Sequence, residues 1–124
     1  MIAGVHALIF AEDAEAARAF FRDVLGFPHV VAHDTWLIFG LPPAELGIHP
    51  GPGWSRQTGQ HELYFMCHDI EKTVQDLQAK GVEFIGPIAD EGFGLMTKLK
   101  VPGAGEVGLY EPKHKSPLAE FADG

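Results

Sequence analysis

The sequence is poor in cysteine, in positive charge and in long apolar runs. Cys67 is the one cysteine in 124 residues, which excludes an internal disulfide framework and a cysteine-rich zinc module. No apolar run approaches the roughly 20 residues that span a bilayer. The N-terminus also lacks the basic start and the small-residue cleavage site of a signal peptide. Because a lone thiol suits a reducing compartment, we expect a cytoplasmic protein.

The charge balance limits the partners that the protein can bind. The chain has 9 Lys and Arg residues against 17 Asp and Glu residues, a formal net charge of −8 at pH 7. That charge repels nucleic-acid phosphates and anionic lipid surfaces. The sequence therefore predicts no nucleic-acid partner and no membrane partner. A neutral or cationic small molecule, or another protein, remains open.

A series of apolar strand patterns with one amphipathic helix occurs twice along the chain, in the same order. The pattern predicts helices over 14–25 and after Asp69, each with an aspartate as its N-cap, Asp13 in the first case. Strands are predicted over 4–10, 29–33, 35–39, 45–49, 61–67, 83–85, 95–101 and 106–111. The Gly- and Pro-rich stretch 51–60 is typical of a linker.

The two halves align with each other, which indicates an internal duplication. Residues 6–13 align with 62–69, so that Asp13 falls on Asp69, and residues 45–49 align with 106–110. We therefore predict an α+β fold in a single domain, 1–124, built from two tandem βαβββ units. Unit boundaries are expected at about 2–50 and 61–112, with the linker between them and a C-terminal tail over 113–124.

Alternation along the strands separates an apolar face from a polar face. The apolar face would pack against the helices and would include Cys67, which we expect to be an inert, buried thiol. The opposite face carries side chains suited to ligand or metal binding: His6, Glu45, His49, Glu62, Tyr64, Glu106 and Tyr110. A polar face shared by four separate strands predicts a wet concavity or a ligand site.

Three segments resemble the vicinal oxygen chelate superfamily, also called the glyoxalase/bleomycin-resistance/dioxygenase superfamily. They are Gly4-Val5-His6, the helix end over 20–27 and the last strand over 106–112. The resemblance covers nearly the whole chain. It implies curled mixed sheets around a shared cavity with the helices outside, and it implies a homodimer.

The resemblance also implies one divalent metal, Zn, Ni, Mn or Fe, held by His and Glu side chains from the first and last strand of each unit. His6 falls on the first ligand position and Glu62 on its repeat mate. Gly47 and Gly108 fall on the other two positions and cannot ligate. The neighbouring candidates His49, Glu45 and Glu106 complete a site only with a shifted register.

Two functions therefore remain open. The first is a metal-dependent lyase, isomerase or dioxygenase with His6, Glu62 and His49 as ligands and Glu106 or Glu45 moving the proton. The second is a metal-free protein that sequesters a cationic drug or metabolite, with no cofactor at all. Candidate cavity residues in either case are the aromatic side chains Tyr64, Tyr110, Trp36 and Phe93. An alternative interpretation of Trp36 and Phe93 is that they pack in the core or cover the cavity mouth.

Overall fold

The structure is a computed structural model that describes residues 1, 6–34, 36–48 and 60–121. Its chain divides into two compact units. The first unit comprises Met1–Leu41 and Lys100–Glu106, and the second comprises Pro42–Leu99 and Val107–Gly124. No helix in the described ranges is long and apolar enough to cross a membrane.

The first unit consists of one helix and one β-hairpin. Helix α1 (Ala14–Ala19) begins at Asp13, whose carboxylate accepts a hydrogen bond of 3.0 Å from the Ala16 backbone N–H. It continues as a π-helical turn over Phe20–Val24. Strands β1 (His29–His33) and β2 (Trp36–Phe39) then pair in an antiparallel hairpin.

Aromatic rings form the core of the first unit. Phe20 and Phe21 are buried at the π-helical turn. The ring centroid of Phe21 lies 5.8 Å from that of Phe39 on β2 and 6.1 Å from that of Phe27. These contacts hold the helix against one face of the hairpin, since apolar burial is the main favourable term in packing.

The second unit is built on a four-stranded mixed sheet. In chain order its strands are β3 (Tyr64–Met66), β4 (Phe84–Asp90), β5 (Gly94–Lys100) and β6 (Glu106–Pro112), and their order in the sheet is β3-β6-β5-β4. Strand β3 runs parallel to β6, while β4 runs antiparallel to β5. Helix α2 (Ile70–Ala79) connects β3 to β4. A 3-10 turn over Ala119–Phe121 ends the described chain.

Helix α2 covers one face of this sheet. Ile70 is fully buried, and its backbone N–H donates a hydrogen bond of 2.9 Å to the Glu111 carboxylate on β6. Because side chains alternate along a strand, the buried Val107 and Leu109 share the face of Glu111. Tyr110 and the position of Gly108 belong to the opposite face, which is the face that the sequence predicts to be polar.

The α+β fold class is confirmed, and so are both predicted helices with their aspartate N-caps. Two predicted strands are wrong in their described parts, because residues 6–10 and 45–48 form no strand. Neither segment has a strand partner among the described residues, and pairing is what stabilises a strand. Residues 2–5 and His49, which belong to the same two predictions, lie outside the described residues.

Strand β4 is longer than its predicted range of 83–85. Gly86, with φ of 77°, and Pro87 interrupt the pattern that favours a strand. The pairing of β4 with β5 absorbs both residues in an irregularity between Ile85 and Ala89 and then resumes. Conversely, β3 is shorter than the predicted strand over 61–67.

Candidate functional site

Three aromatic rings adjoin on the face of the sheet opposite α2. Tyr64 lies on β3, Tyr110 on β6, and Phe93 in the turn between β4 and β5. The ring centroid of Tyr110 is 6.3 Å from that of Tyr64 and 6.0 Å from that of Phe93, and both pairs meet edge to face. We call these three residues the aromatic surface. Each ring keeps part of its area exposed.

Two glycines let the tyrosine rings lie against the sheet. Tyr64 is the register partner of Gly108, and a Cβ at residue 108 would fall inside the Tyr64 ring. A Cβ at Gly94 would likewise collide with the Tyr110 ring. Gly108 is therefore covered by the Tyr64 ring and offers no open floor to a ligand.

Hydrogen bonds fix both tyrosine hydroxyls. The Tyr64 hydroxyl donates to the Glu62 carboxylate over 2.8 Å, and the Tyr110 hydroxyl donates to the Phe93 carbonyl over 3.3 Å. The Phe93 carbonyl also accepts a bond of 2.9 Å from the Lys113 N–H. The rings are therefore held in place before any ligand arrives, which lowers the entropic cost of binding.

Glu45 supplies a second carboxylate next to the aromatic surface. Its side chain is only 19% exposed, and the hydroxyl of the buried Ser116 donates to it over 3.3 Å. The His114 ring lies beside Tyr110 and Glu45. Its centroid is 5.7 Å from that of Tyr110, and its Nε2 atom is 4.0 Å from Glu45 Oε2. Burial, followed by the nearby Glu45 charge, raises the pKa of Tyr110 above its ordinary value.

This arrangement favours a positively charged, flat molecule. The faces of aromatic rings attract cations, and the carboxylates of Glu45 and Glu62 adjoin the two tyrosines. The Tyr110 phenol, whose pKa is raised above an ordinary value near 10, is neutral at physiological pH, so the negative charge here comes from the two carboxylates. The surface thus combines π faces with negative charge.

The remaining predicted site residues lie elsewhere in the chain. His6 is exposed and Glu106 is the exposed first residue of β6, and both belong to the first unit. Trp36, also in the first unit, is 59% exposed, with the Arg18 guanidinium 5.0 Å from its ring centroid. His49 lies outside the described residues. The second unit contains Glu45, Glu62, Tyr64, Phe93 and Tyr110.

The described donors do not fit a divalent metal. Within 6–34, 36–48 and 60–121, no three His, Cys, Asp or Glu side chains gather closely enough to hold an ion. Two donors approach each other at the aromatic surface, His114 and Glu45, but tetrahedral and octahedral protein sites take three or more. The Tyr64 ring meanwhile covers the predicted ligand position at Gly108.

Sequence reasoning missed His114 and Ser116, which complete the surroundings of Glu45. They lie after the last strand, in a tail without periodicity, so only their residue types could have drawn attention to them. Cys67 agrees with the expectation of an inert thiol. It is half-buried, and burial raises its pKa to about 11.

Solved structures of similar fold include several proteins of known class. TnmS3, an antibiotic binding protein from Streptomyces sp. CB03234, is 22% identical, and the match covers 91% of this chain and 100% of that one with a TM-score of 0.59. A lactoylglutathione lyase from Agrobacterium tumefaciens is 18% identical, over 82% and 87% of the two chains, with a TM-score of 0.53. Identities this low show a shared fold alone.

A third structure is a member of the glyoxalase/bleomycin resistance protein/dioxygenase superfamily from Sphaerobacter thermophilus DSM 20745. It is 25% identical over 89% of this chain and 98% of that one, with a TM-score of 0.61. A comparison with curated proteins finds no match. The family model, however, matches residues 5–112, which is most of the chain. The chain therefore belongs to the Glyoxalase/Bleomycin resistance protein/Dioxygenase superfamily, as the sequence resemblance predicted.

Proposed function

We propose that this protein binds a small aromatic cation on its aromatic surface and sequesters it without a metal. The observation that carries the proposal is the set of adjoining rings of Tyr64, Tyr110 and Phe93 with carboxylates beside both tyrosines. A flat ligand stacks on or against the rings, and its positive charge faces Glu45 or Glu62. This is the metal-free alternative that the sequence left open.

The energetics of such a surface suit binding without chemistry. A cation over an aromatic face gains about 0.5–2 kcal/mol, depending on how far it is desolvated. The half-buried carboxylate of Glu45 adds a Coulomb attraction that water screens less than at an open surface. The net charge of −8 favours the approach of any cation.

One neighbour supports this class of function. TnmS3 has the same fold and is described as an antibiotic binding protein. We extend that role to this chain, with a cationic aromatic drug or metabolite as the ligand. Because the identity is 22%, we extend only the class of function, small-molecule binding, and not the identity of the ligand.

The enzymatic alternative depends on a divalent metal. It remains testable by elemental analysis of protein purified without chelator, followed by calorimetric titration with Zn, Ni, Mn and Fe(II). Near one metal per chain, lost in a His6→Ala variant, would overturn the metal-free proposal. It would then favour a lyase, isomerase or dioxygenase in which Glu106 or Glu45 moves the proton.

The binding proposal is tested with a charged probe and its neutral isostere. Isothermal titration calorimetry would compare N-methylquinolinium, a permanent flat cation, with methylnaphthalene, which has the same shape and no charge. We expect the cation to bind about tenfold more tightly. Glu45→Gln should weaken cation binding by about three- to tenfold and leave the neutral probe unchanged.

The matched control is Glu71→Gln, which removes the same charge from an exposed position in the first turn of α2. It should leave both affinities unchanged. Equal binding of the two probes, or an equal loss in the Glu45→Gln and Glu71→Gln variants, would overturn a site built on local charge. No binding of either probe would overturn the aromatic surface as a ligand site.

We also propose that the chain is cytoplasmic and forms a homodimer. A lone, half-buried thiol with a pKa of about 11 suits a reducing compartment. The dimer is supported by apolar side chains that remain exposed in two segments, Leu8 and Phe10 in the first and Leu46 and Ile48 in the second. Both segments carry the alternation of a strand without pairing as one.

A further inference from the structure

We infer that His114 occupies, in the free protein, the place that the ligand's cation takes, so that the imidazole is an internal competitor for the site. The ligand class then follows from the competitor: a flat, cationic nitrogen heterocycle of imidazolium, pyridinium or quinolinium type. This inference rests on the proposed function, because it specifies the ligand and the regulation of the same surface.

The His114 ring has the two neighbours that the proposed ligand would have. It lies near Tyr110, with a centroid distance of 5.7 Å and an interplanar angle of 38°. Its Nε2 atom lies 4.0 Å from Glu45 Oε2. An aromatic ring and a carboxylate are the contacts that a flat cation would make. The His114 side chain is 36% exposed, and its Nδ1 bond is to the carbonyl of the adjacent residue, Lys115.

The hydrogen bond of His114 determines which ring nitrogen carries the hydrogen of the neutral imidazole. Its Nδ1 atom lies 2.7 Å from the Lys115 carbonyl oxygen, which only accepts hydrogen bonds. Nδ1 therefore carries the hydrogen and donates, while Nε2, which lies 4.0 Å from Glu45 Oε2, carries none. A permanent cation in the place of the neutral ring would form an ion pair with Glu45 that the neutral ring cannot form, so the cation would displace the ring.

Glu45 keeps its position without the imidazole. The Ser116 hydroxyl donates to Glu45 Oε1 and itself accepts a bond of 3.1 Å from the Leu118 N–H. The hydroxyl is thus fixed by the backbone of the tail, and the carboxylate is held by a bond that does not involve His114. Displacement of the His114 ring by a ligand would leave both Tyr110 and Glu45 in place to receive it.

The test titrates the 124-residue chain with N-methylquinolinium, a permanent cation. We expect His114→Gln to bind the probe about three- to tenfold more tightly than wild type, because removal of the imidazole raises the competent fraction of the site. The matched control is His33→Gln, which removes an imidazole 3.3 Å from the Asp34 carboxylate in the first unit. It should behave as wild type.

The outcomes separate this inference from the proposed function. Equal affinity of wild type and His114→Gln for the probe overturns the role of His114 as a competitor and leaves the aromatic surface as a ligand site. Weaker binding by His114→Gln overturns it too, since His114 would then be a ligand contact. No binding by any variant means that the proposed function itself is wrong. An NMR titration of the wild-type imidazole supplies a readout without mutation: its ring signals should shift as the probe displaces it from Tyr110, and unchanged signals in the bound state would contradict displacement.

Discussion

At the scale of single residues, the absence of a side chain at position 108 decides what the sheet presents to a ligand. The backbone of Gly108 is not in the left-handed region, so an alanine would be acceptable to the strand by itself. It is the Tyr64 ring, lying across the residue, that excludes a Cβ. The aromatic surface therefore depends on glycine through packing and not through backbone freedom.

We predict that Gly108→Ala lowers the free energy of unfolding by about 1–3 kcal/mol, the usual cost of overpacking. The measurement is urea unfolding followed by circular dichroism. The control is the same substitution in a Tyr64→Ala background, where the ring that excludes the Cβ has been removed. In that background Gly108→Ala should lower the free energy of unfolding much less. An equal loss in the wild-type and Tyr64→Ala backgrounds would show that the strain lies in the backbone and not in the contact with the ring.

The sequence could identify Gly108 as a residue that cannot ligate, but not what lies above it. That depends on the register of β3 against β6, two strands that are far apart in the chain. The same holds for His114, which gains a role only because β6 delivers the tail to Tyr110 and Glu45. That Tyr64 and Tyr110 belong to one face of the sheet was predictable, since alternation along a strand is a local signal.

At the scale of secondary-structure elements, helix α2 is held at its N-terminus by two carboxylates. Asp69 accepts a hydrogen bond of 3.1 Å from the Lys72 N–H as the N-cap, and Glu111 on β6 accepts one of 2.9 Å from the Ile70 N–H. Both negative charges lie at the positive end of the helix dipole. The second carboxylate ties the helix to the strand that carries Tyr110.

We predict that Glu111→Ala lowers the free energy of unfolding by about 1–2 kcal/mol, because the N–H of the buried Ile70 loses its acceptor. Hydrogen exchange of the Ile70 amide should accelerate in the same variant. Glu71→Ala removes a carboxylate from the exposed first turn of the same helix and serves as the control. Its expected cost is at most about 0.5 kcal/mol, and a comparable loss in the two variants would contradict the role of the Glu111 bond.

The elements also show where sequence reasoning succeeds. Helix starts at Asp13 and Asp69 were predictable because capping is a local interaction between a side chain and the next turn. Strand existence over 6–10 and 45–48 was not, because a strand forms only where a partner strand is present. The irregularity that carries β4 past Gly86 and Pro87 likewise depends on β5.

At the scale of the whole molecule, the proposed ligand site lies within one unit of one chain, while the proposed dimer uses two exposed apolar segments, one of which also contains Glu45. The aromatic surface, Glu45, Glu62 and His114 all belong to the second unit of one chain. The exposed apolar residues that support a dimer lie in segments with strand-like alternation and no strand partner, Leu8 and Phe10 in one and Leu46 and Ile48 in the other. A second copy that supplies partner strands would form hydrogen bonds with the backbone groups of these segments. It would also bury their apolar side chains.

We therefore predict that light scattering coupled to gel filtration gives twice the chain mass of 13.5 kDa. Ile48→Glu, which places a charge where 89% of the apolar side chain is exposed, should shift the protein toward the single-chain mass. Ala79→Glu adds the same charge at the exposed end of α2 and should leave the mass unchanged. A mass of 13.5 kDa for the wild-type chain at every concentration would contradict the dimer. Such a monomer should still bind N-methylquinolinium, because each chain holds a complete aromatic surface.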